Sequence, residues 1–242
     1  MGNKKPATKT TPRATSLCMS RQLSIFDPEK HANKRVDVIG VGATGSAIVW
    51  QLAKTGMRNI HVWDDDIIET HNIANQSPYL LEHIDMLKVD ALKKVVFEAT
   101  GVKITTHAER VDGTQTLGSI VFLLVDRMDT RVLIWNNGIK YRYGIDLMIE
   151  TRMGSDEGRV YCIHPMKPQH IERWESSLCK DDEAEMSACG TIPSIICTAG
   201  IIADLAVWQM INWLMQNEEN IFKTHELFVG TRPPAMTTRN FG

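Results

Sequence analysis

An α/β fold with a doubly wound, mostly parallel sheet is what this sequence predicts, and three observations predict it. Short strand-like runs at 36–39, 60–63, 102–106, 120–125 and 145–149, the fourth of them continuously apolar, alternate with segments of helical period, as a parallel sheet buried on both faces requires. The turn Gly40-Val41-Gly42-Ala43-Thr44-Gly45 sits directly between the first run and a helix. The second run then closes on Asp64, nineteen positions after Gly45.

Taken in order, residues 18–34 form a short amphipathic segment that docks ahead of the first strand. After Gly45, the spacing of Ile48, Val49, Leu52 and Ala53 predicts a helix ending near Gly56. Residues 67–80 mix polar side chains with Pro78 and lack a period, so they form a loop at the carboxyl end of the second strand. A helix is expected over 88–99, with Val89, Leu92, Val96 and Val95 inward and Gly101 ending it. Further expectations are a short helix over 130–138, a strand over 159–163, a polar loop over 165–190, a long buried helix over 191–215 and a last strand over 226–229 before a Pro-rich tail. The chain thus reads as a Rossmann-like core with a C-terminal strand and long-helix extension.

With 242 residues and 43% hydrophobic content, residues 18–242 suit a single domain behind a basic, disordered leader over 1–17. That leader carries Lys4, Lys5, Lys9 and Arg13 and no acid, leaving 23 basic against 29 acidic residues elsewhere. A mildly acidic body gives no reason to expect nucleic acid as a partner. No secretory pattern opens the chain, and the apolar stretch 192–214 is broken by Asp204, Gln209 and Asn212, so no membrane span is expected. Five cysteines without framework spacing point to a reducing compartment, the cytoplasm, and no Cys-x-x-Cys suggests structural zinc. Cys197 falls within the apolar helix and is expected in the core; Cys162 and Cys179 are structural or incidental.

Strand, glycine turn, helix and acid together make a dinucleotide-binding fingerprint in its required context. Gly40 allows the tight turn, Gly42 lets backbone approach a phosphate, and Gly45 lets helix pack on strand, with Ala43 and Thr44 opening the helix toward the anion. Asp64 suits a ribose hydroxyl. Read from the residues alone, Lys88 is a solvated helix charge and His71 a surface residue, while Asp126 is either a helix N-cap or, from its place at the carboxyl end of a strand, a site residue.

The residues beyond Asp64 narrow the reading. Asp66 and then Asn72-Ile73-Ala74-Asn75-Gln76 resemble the acid-x-acid…Asn-Leu-x-Arg-Gln signature of the ThiF/MoeB/HesA and ubiquitin-activating superfamily of adenylyltransferases. Lys88 stands where that family has its phosphate-binding lysine, Asp126 with Arg131 resembles its Asp-Asn-x-x-x-Arg metal segment, and Ser20-Arg21-Gln22 resembles its Arg-Gln pair. Met153-Gly154 after Glu150-Thr151-Arg152, with Cys189 ahead of the long helix, looks closest to stand-alone ThiF-like proteins of phages and plasmids.

The resemblance implies an enzyme that uses ATP and Mg²⁺ to activate the C-terminal glycine of a ubiquitin-like protein or peptide as an acyl-adenylate. By it Asp64, Asp66, Asn72, Asn75, Gln76 and the turn hold the nucleotide, Lys88 the developing charge and Asp126 the metal. Arg21 reaches the partner subunit's site in a homodimer, and Cys189 is either an acceptor thiol or inert. Asn75 departs from the pattern: it brings no charge where the family has Arg, a loss of about 2 kcal/mol or more of transition-state stabilisation, for which Arg127 is a candidate replacement. An NAD-dependent oxidoreductase and a non-catalytic adaptor half of an activating-enzyme dimer remain the alternatives.

Overall fold

The computed structural model describes residues 17–178 and 195–242. Most of the leader, Cys179, the acidic run 181–185 and Cys189 lie outside the described residues. Among the described residues eight strands form one sheet: β1 Val36–Ile39, β2 Ile60–Trp63, β3 Thr105–His107, β4 Ile120–Leu123, β5 Leu147–Met153, β6 Glu157–Ile163, β7 Glu226–Thr231 and β8 Pro234–Arg239. Their order is β3-β2-β1-β4-β5-β6-β7-β8. The first five are mutually parallel, and β6, β7 and β8 continue antiparallel. Among the described residues five α-helices cover the sheet: α1 Ala43–Lys54, α2 Lys88–Thr100, α3 Met128–Ile134, α4 Pro168–Glu175 and α5 Ile196–Leu214.

Both faces are buried, which is why β1 and β4 are closed to solvent at every position. One apolar cluster joins α1, α2 and α5 to the sheet; the other joins α3 and α4 to the opposite face. Asp37, fully buried on β1, is neutralised where it stands: it accepts from Trp63 Nε1, Arg35 Nη2 and the Gly118 N–H.

Several expectations shift. The third strand covers 105–107 rather than 102–106, because β2 offers only His61–Trp63 as partners and His107 stacks on Trp63 at 3.6 Å. The helix expected over 130–138 starts at Met128 and continues through a π-helical turn, Trp135–Ile139. Gly138 makes that packing possible, since a Cβ there would lie 2.7 Å from Gly113 Cα. The polar stretch after 165 contains a helix, α4, with Pro168 in its first turn and Ile171 and Trp174 buried; its polar outer face hid it. Beyond β7 comes a further strand rather than a tail, because β8 is an edge strand, where Pro234 needs no ladder donor.

Cys197 is also corrected: it is exposed. The buried side of α5 runs through Thr198, Ile202, Ala206 and Gln209, which puts Cys197, Ile201, Asp204 and Trp208 on the other side. By length and composition α5 could cross a bilayer, yet half of it is buried within the fold, as in the core helix of a globular domain.

The chain's last residues are held by an imidazole cluster. The His170 and His225 rings meet at 4.2 Å, tilted by 58°, His225 and Phe241 stack at 5.6 Å, and the Nδ1 atoms of His170 and His225 accept backbone N–H groups, from His164 and Phe241 respectively. Both rings must therefore be neutral at that nitrogen. Burial, with the neighbouring His225, pushes the His170 pKa down to about 4. The unfolded chain takes up this proton near pH 6.5 while the fold resists it to about 4, so stability falls as pH drops through that window. The fall should be on the order of 2–3 kcal/mol in urea unfolding, and His170→Gln should flatten it. An unchanged slope in the variant would remove His170 as its source.

Candidate nucleotide site

The strand order reverses between β1 and β4, so a crevice opens at their carboxyl ends. Gly40 follows β1 at φ +89°, and a Cβ there would meet the Leu124 backbone at 2.9 Å. At Gly45 a Cβ would fall 2.0 Å from the Gly40 carbonyl oxygen. Gly42 faces open space instead, and α1 starts just after it with no side-chain cap and no acid in its first turn. Its first N–H groups, including those of Ala43 and Thr44, lie beyond the reach of any intrahelical carbonyl, and they sit at the positive end of the helix dipole.

Asp64, at the end of β2, braces this turn. One carboxylate oxygen accepts the Val41 N–H at 2.8 Å and the other accepts the Asp66 N–H at 2.9 Å. Burial raises its pKa, against the pull of the Val41 N–H and of Lys88. Asp66 Oδ2 receives Lys88 Nζ at 2.7 Å, and the Lys88 N–H donates to the Asp66 carbonyl. An isolated bridge between Ile67 and Leu87 is what brings the start of α2 to this loop. Asp64, Asp65 and Asp66 hold carboxylate oxygens within 4.8 Å of one another. Each already has a partner, Arg110 serving Asp65 at 2.9 Å.

The rest of the loop is only partly turned toward the crevice. Asn72 is buried, and its Oδ1 accepts the Glu69 N–H inside a 3₁₀ turn. Asn75 is half-buried and donates its N–H to the Asn72 carbonyl. Gln76 Oε1 is buried and accepts no hydrogen bond from the described residues. His71 is exposed next to Glu69, as its surface reading expected.

Asp126 stands three residues past β4, exposed, its Oδ1 accepting the N–H of Arg127. Arg127, not Asp126, is the N-cap residue of α3, and its guanidinium lies 3.9 Å from Asp129. Arg131 is buried: Nε donates to the Val125 carbonyl, and Nη1 to the Thr151 carbonyl and to Glu150. Glu150, fully buried, also holds Arg152 and accepts from Trp174 Nε1.

Arg21 is exposed in a turn whose neighbour Gln22 donates to the Thr55 carbonyl, at the C-terminal end of α1. Twelve residues of helix, about 18 Å, separate it from the glycine turn of its own chain. Two residues escaped sequence reasoning. Tyr79 donates its buried hydroxyl to the Val41 carbonyl at 2.8 Å, and Thr151 places its hydroxyl 3.4 Å from that of Thr44. An aromatic after Pro78 was the one available signal.

The ThiF family model matches residues 19–240. The chain is 32% identical over 110 residues to the NEDD8-activating enzyme E1 catalytic subunit of Arabidopsis thaliana, covering 43% of this chain and 24% of that protein. It is 24% identical over 135 residues to the sulfur carrier protein ThiS adenylyltransferase of Bacillus subtilis (strain 168), covering 52% and 40%. These matches therefore span less than half of either relative. Among solved structures, E. coli MccB with AMPCPP and MccA superposes with a TM-score of 0.65 at 14% identity, covering 89% of this chain and 66% of that one. PaaA gives 0.66 at 16%, covering 88% and 66%. At such identities these two likenesses show the fold alone; the family match over nearly the whole sequence shows more, and the chain belongs to the ThiF family.

Proposed function

We propose that this chain is an ATP- and magnesium-dependent adenylyltransferase that activates the C-terminal carboxylate of a ubiquitin-like protein or peptide. The observation that carries the reading is the convergence of the glycine turn, Asp64 and the Lys88–Asp66 pair at the crevice between β1 and β4. Named relatives that are activating enzymes and a ThiS adenylyltransferase support it.

ATP with magnesium supplies an electrophilic phosphorus and shields its charge; the chain supplies placement. Asp64 keeps lone pairs for a ribose hydroxyl beyond the two it gives to backbone N–H groups. The first turn of α1 faces the phosphates. Lys88 exchanges Asp66 for phosphate oxygens, and the unfilled Gln76 Oε1 suits a donor on the nucleotide. One carboxylate, Asp126, is enough for a magnesium ion that keeps water and phosphate as its other ligands. The acceptor carboxylate attacks the α-phosphorus and pyrophosphate leaves. Cys189 is the candidate thiol for a following step, in which its sulfur attacks the acyl carbon and AMP departs.

At 100 times its dissociation constant, Mg·ATP should stabilise the protein by about 2.7 kcal/mol, several degrees in thermal unfolding. Asp126→Ala should abolish the magnesium dependence of that shift. A shift with NAD alone would replace this reading by the oxidoreductase.

The position of Arg21 supports a homodimer in which each arginine serves the other subunit, with the exposed Ile201 and Trp208 of α5 available to an interface. Mixing Arg21→Ala and Asp126→Ala chains, each inactive alone, should restore part of the pyrophosphate exchange. No recovery after subunit exchange would rule the arrangement out.

A further inference from the structure

On the face of the sheet that carries α3 and α4, Glu150, Tyr161, Glu226 and Arg239 are successive cross-strand partners from β5 to β8. The row begins beside the candidate site, at the carboxylate that holds Arg131, and ends at the sheet's rim. Between Tyr161 and the rim lies a cavity of about 550 Å³, lined among others by Arg159, Tyr161, Arg173, Glu226, Arg239 and Asn240. Glu226 is 7% exposed and sits between two guanidiniums, Arg159 Nη1 at 2.7 Å and Arg239 Nη1 at 3.3 Å. Arg173, on the last turn of α4, adds a third and has no ion-pair partner among the described residues. Three arginines thus face one carboxylate, a surplus of two positive charges in a concave setting. Guanidiniums keep several forked donors free after one contact, a geometry that matches a second carboxylate.

We propose that this cavity docks an acidic segment of a polypeptide, its Asp or Glu carboxylates seated on Arg173, Arg159 and Arg239. The volume is many times the ~30 Å³ share of one water, so it takes several groups rather than a single small oxyanion. The charge is one cavity on a chain of net charge -2, not the basic stripe that a nucleic acid needs. The reading rests on the proposed function only in naming the acceptor as the source of that segment. Docked here, it would lie on the same sheet face as Glu150 and Arg131, with Arg152 spanning the gap 4.7 Å over the Tyr161 ring. Recognition of the acceptor would then rest on its acidic residues as well as on its C-terminus.

The test needs no nucleotide. A fluorescein-labelled peptide of alternating Glu and Gly, titrated with the full chain and read by anisotropy, should bind saturably. Arg173→Glu with Arg239→Glu should weaken binding about tenfold or more, and Glu226→Gln, which removes the competing carboxylate, should tighten it about threefold. Because the Glu226 and Arg239 changes touch packed strands, Arg173→Glu alone, at an exposed position, decides the matter if either of those fails to fold. Absence of saturable binding overturns the proposal. So does an equal loss with Lys94→Glu, which lies on α2, displacement by equimolar inorganic phosphate, or displacement by an oligonucleotide at lower concentration than the peptide. The Mg·ATP shift is measured separately, so either reading can fail while the other stands.

Discussion

Glu150→Gln should lower stability by about 3–5 kcal/mol, a shift visible as a lower urea midpoint with an unchanged slope. Glu150 is fully buried and is the carboxylate that compensates Arg131 and Arg152; it also accepts from Trp174. Removing one partner of a buried pair leaves charge stranded at low dielectric, which costs more than the pair itself was worth. Arg131 also holds the carbonyl of Val125, the residue before Asp126. The variant should therefore lose magnesium-dependent nucleotide binding at temperatures where it is still folded. A loss under about 1 kcal/mol would mean that water reaches these arginines and that the network is not structural.

Lys88→Ala should reduce acceptor-dependent pyrophosphate exchange by about 10²–10³-fold, the usual consequence of removing one preorganised charge from a transition state. Its effect on stability should stay within about 1 kcal/mol, because Asp66, its partner in the resting site, is 57% exposed and can return to water. Lys88→Arg keeps the charge and should recover part of the rate. Exchange at the wild-type rate in Lys88→Ala would reduce the residue, buried as it is, to the inner end of a structural ion pair with Asp66. The two variants separate scaffold from chemistry: the first is expected to unfold early, the second to fold well and turn over slowly.

The order of the parallel core was legible in the sequence, and β1 and β2 to the residue, while β3, β4 and β5 moved by two or more residues at one end or both; the reason is physical. Strands buried on both faces leave short, mostly apolar runs, so β1 and β2 announce their own ends, and the glycine turn has few other uses between a strand and a helix. The antiparallel extension was harder. α4 is short, and its helical spacing rests on His170, Ile171 and Trp174 alone among polar neighbours; β8 is exposed at every position and shows no buried face at all. For the site, spacing alone marked Asp64, and resemblance marked Lys88, Asp126 and Arg21. Neither could mark Tyr79 or the reach of Glu150, because those contacts join segments far apart in the chain. Cys197 misled for a related reason: apolar neighbours in sequence do not say which side of a helix is covered.

The rim of the sheet at β8 is an edge that further chains could meet. The sheet stops at β8, and an unpaired strand edge is a template on which further chains can polymerise. Pro234 withdraws an N–H from one end of that edge, and Arg239 puts a charge at the other. Ala235 and Met236 are the apolar residues between them, beside Thr237 and Thr238. Such a strand offers little to a fibril-forming neighbour, although its six residues are all exposed and contribute almost nothing to the core.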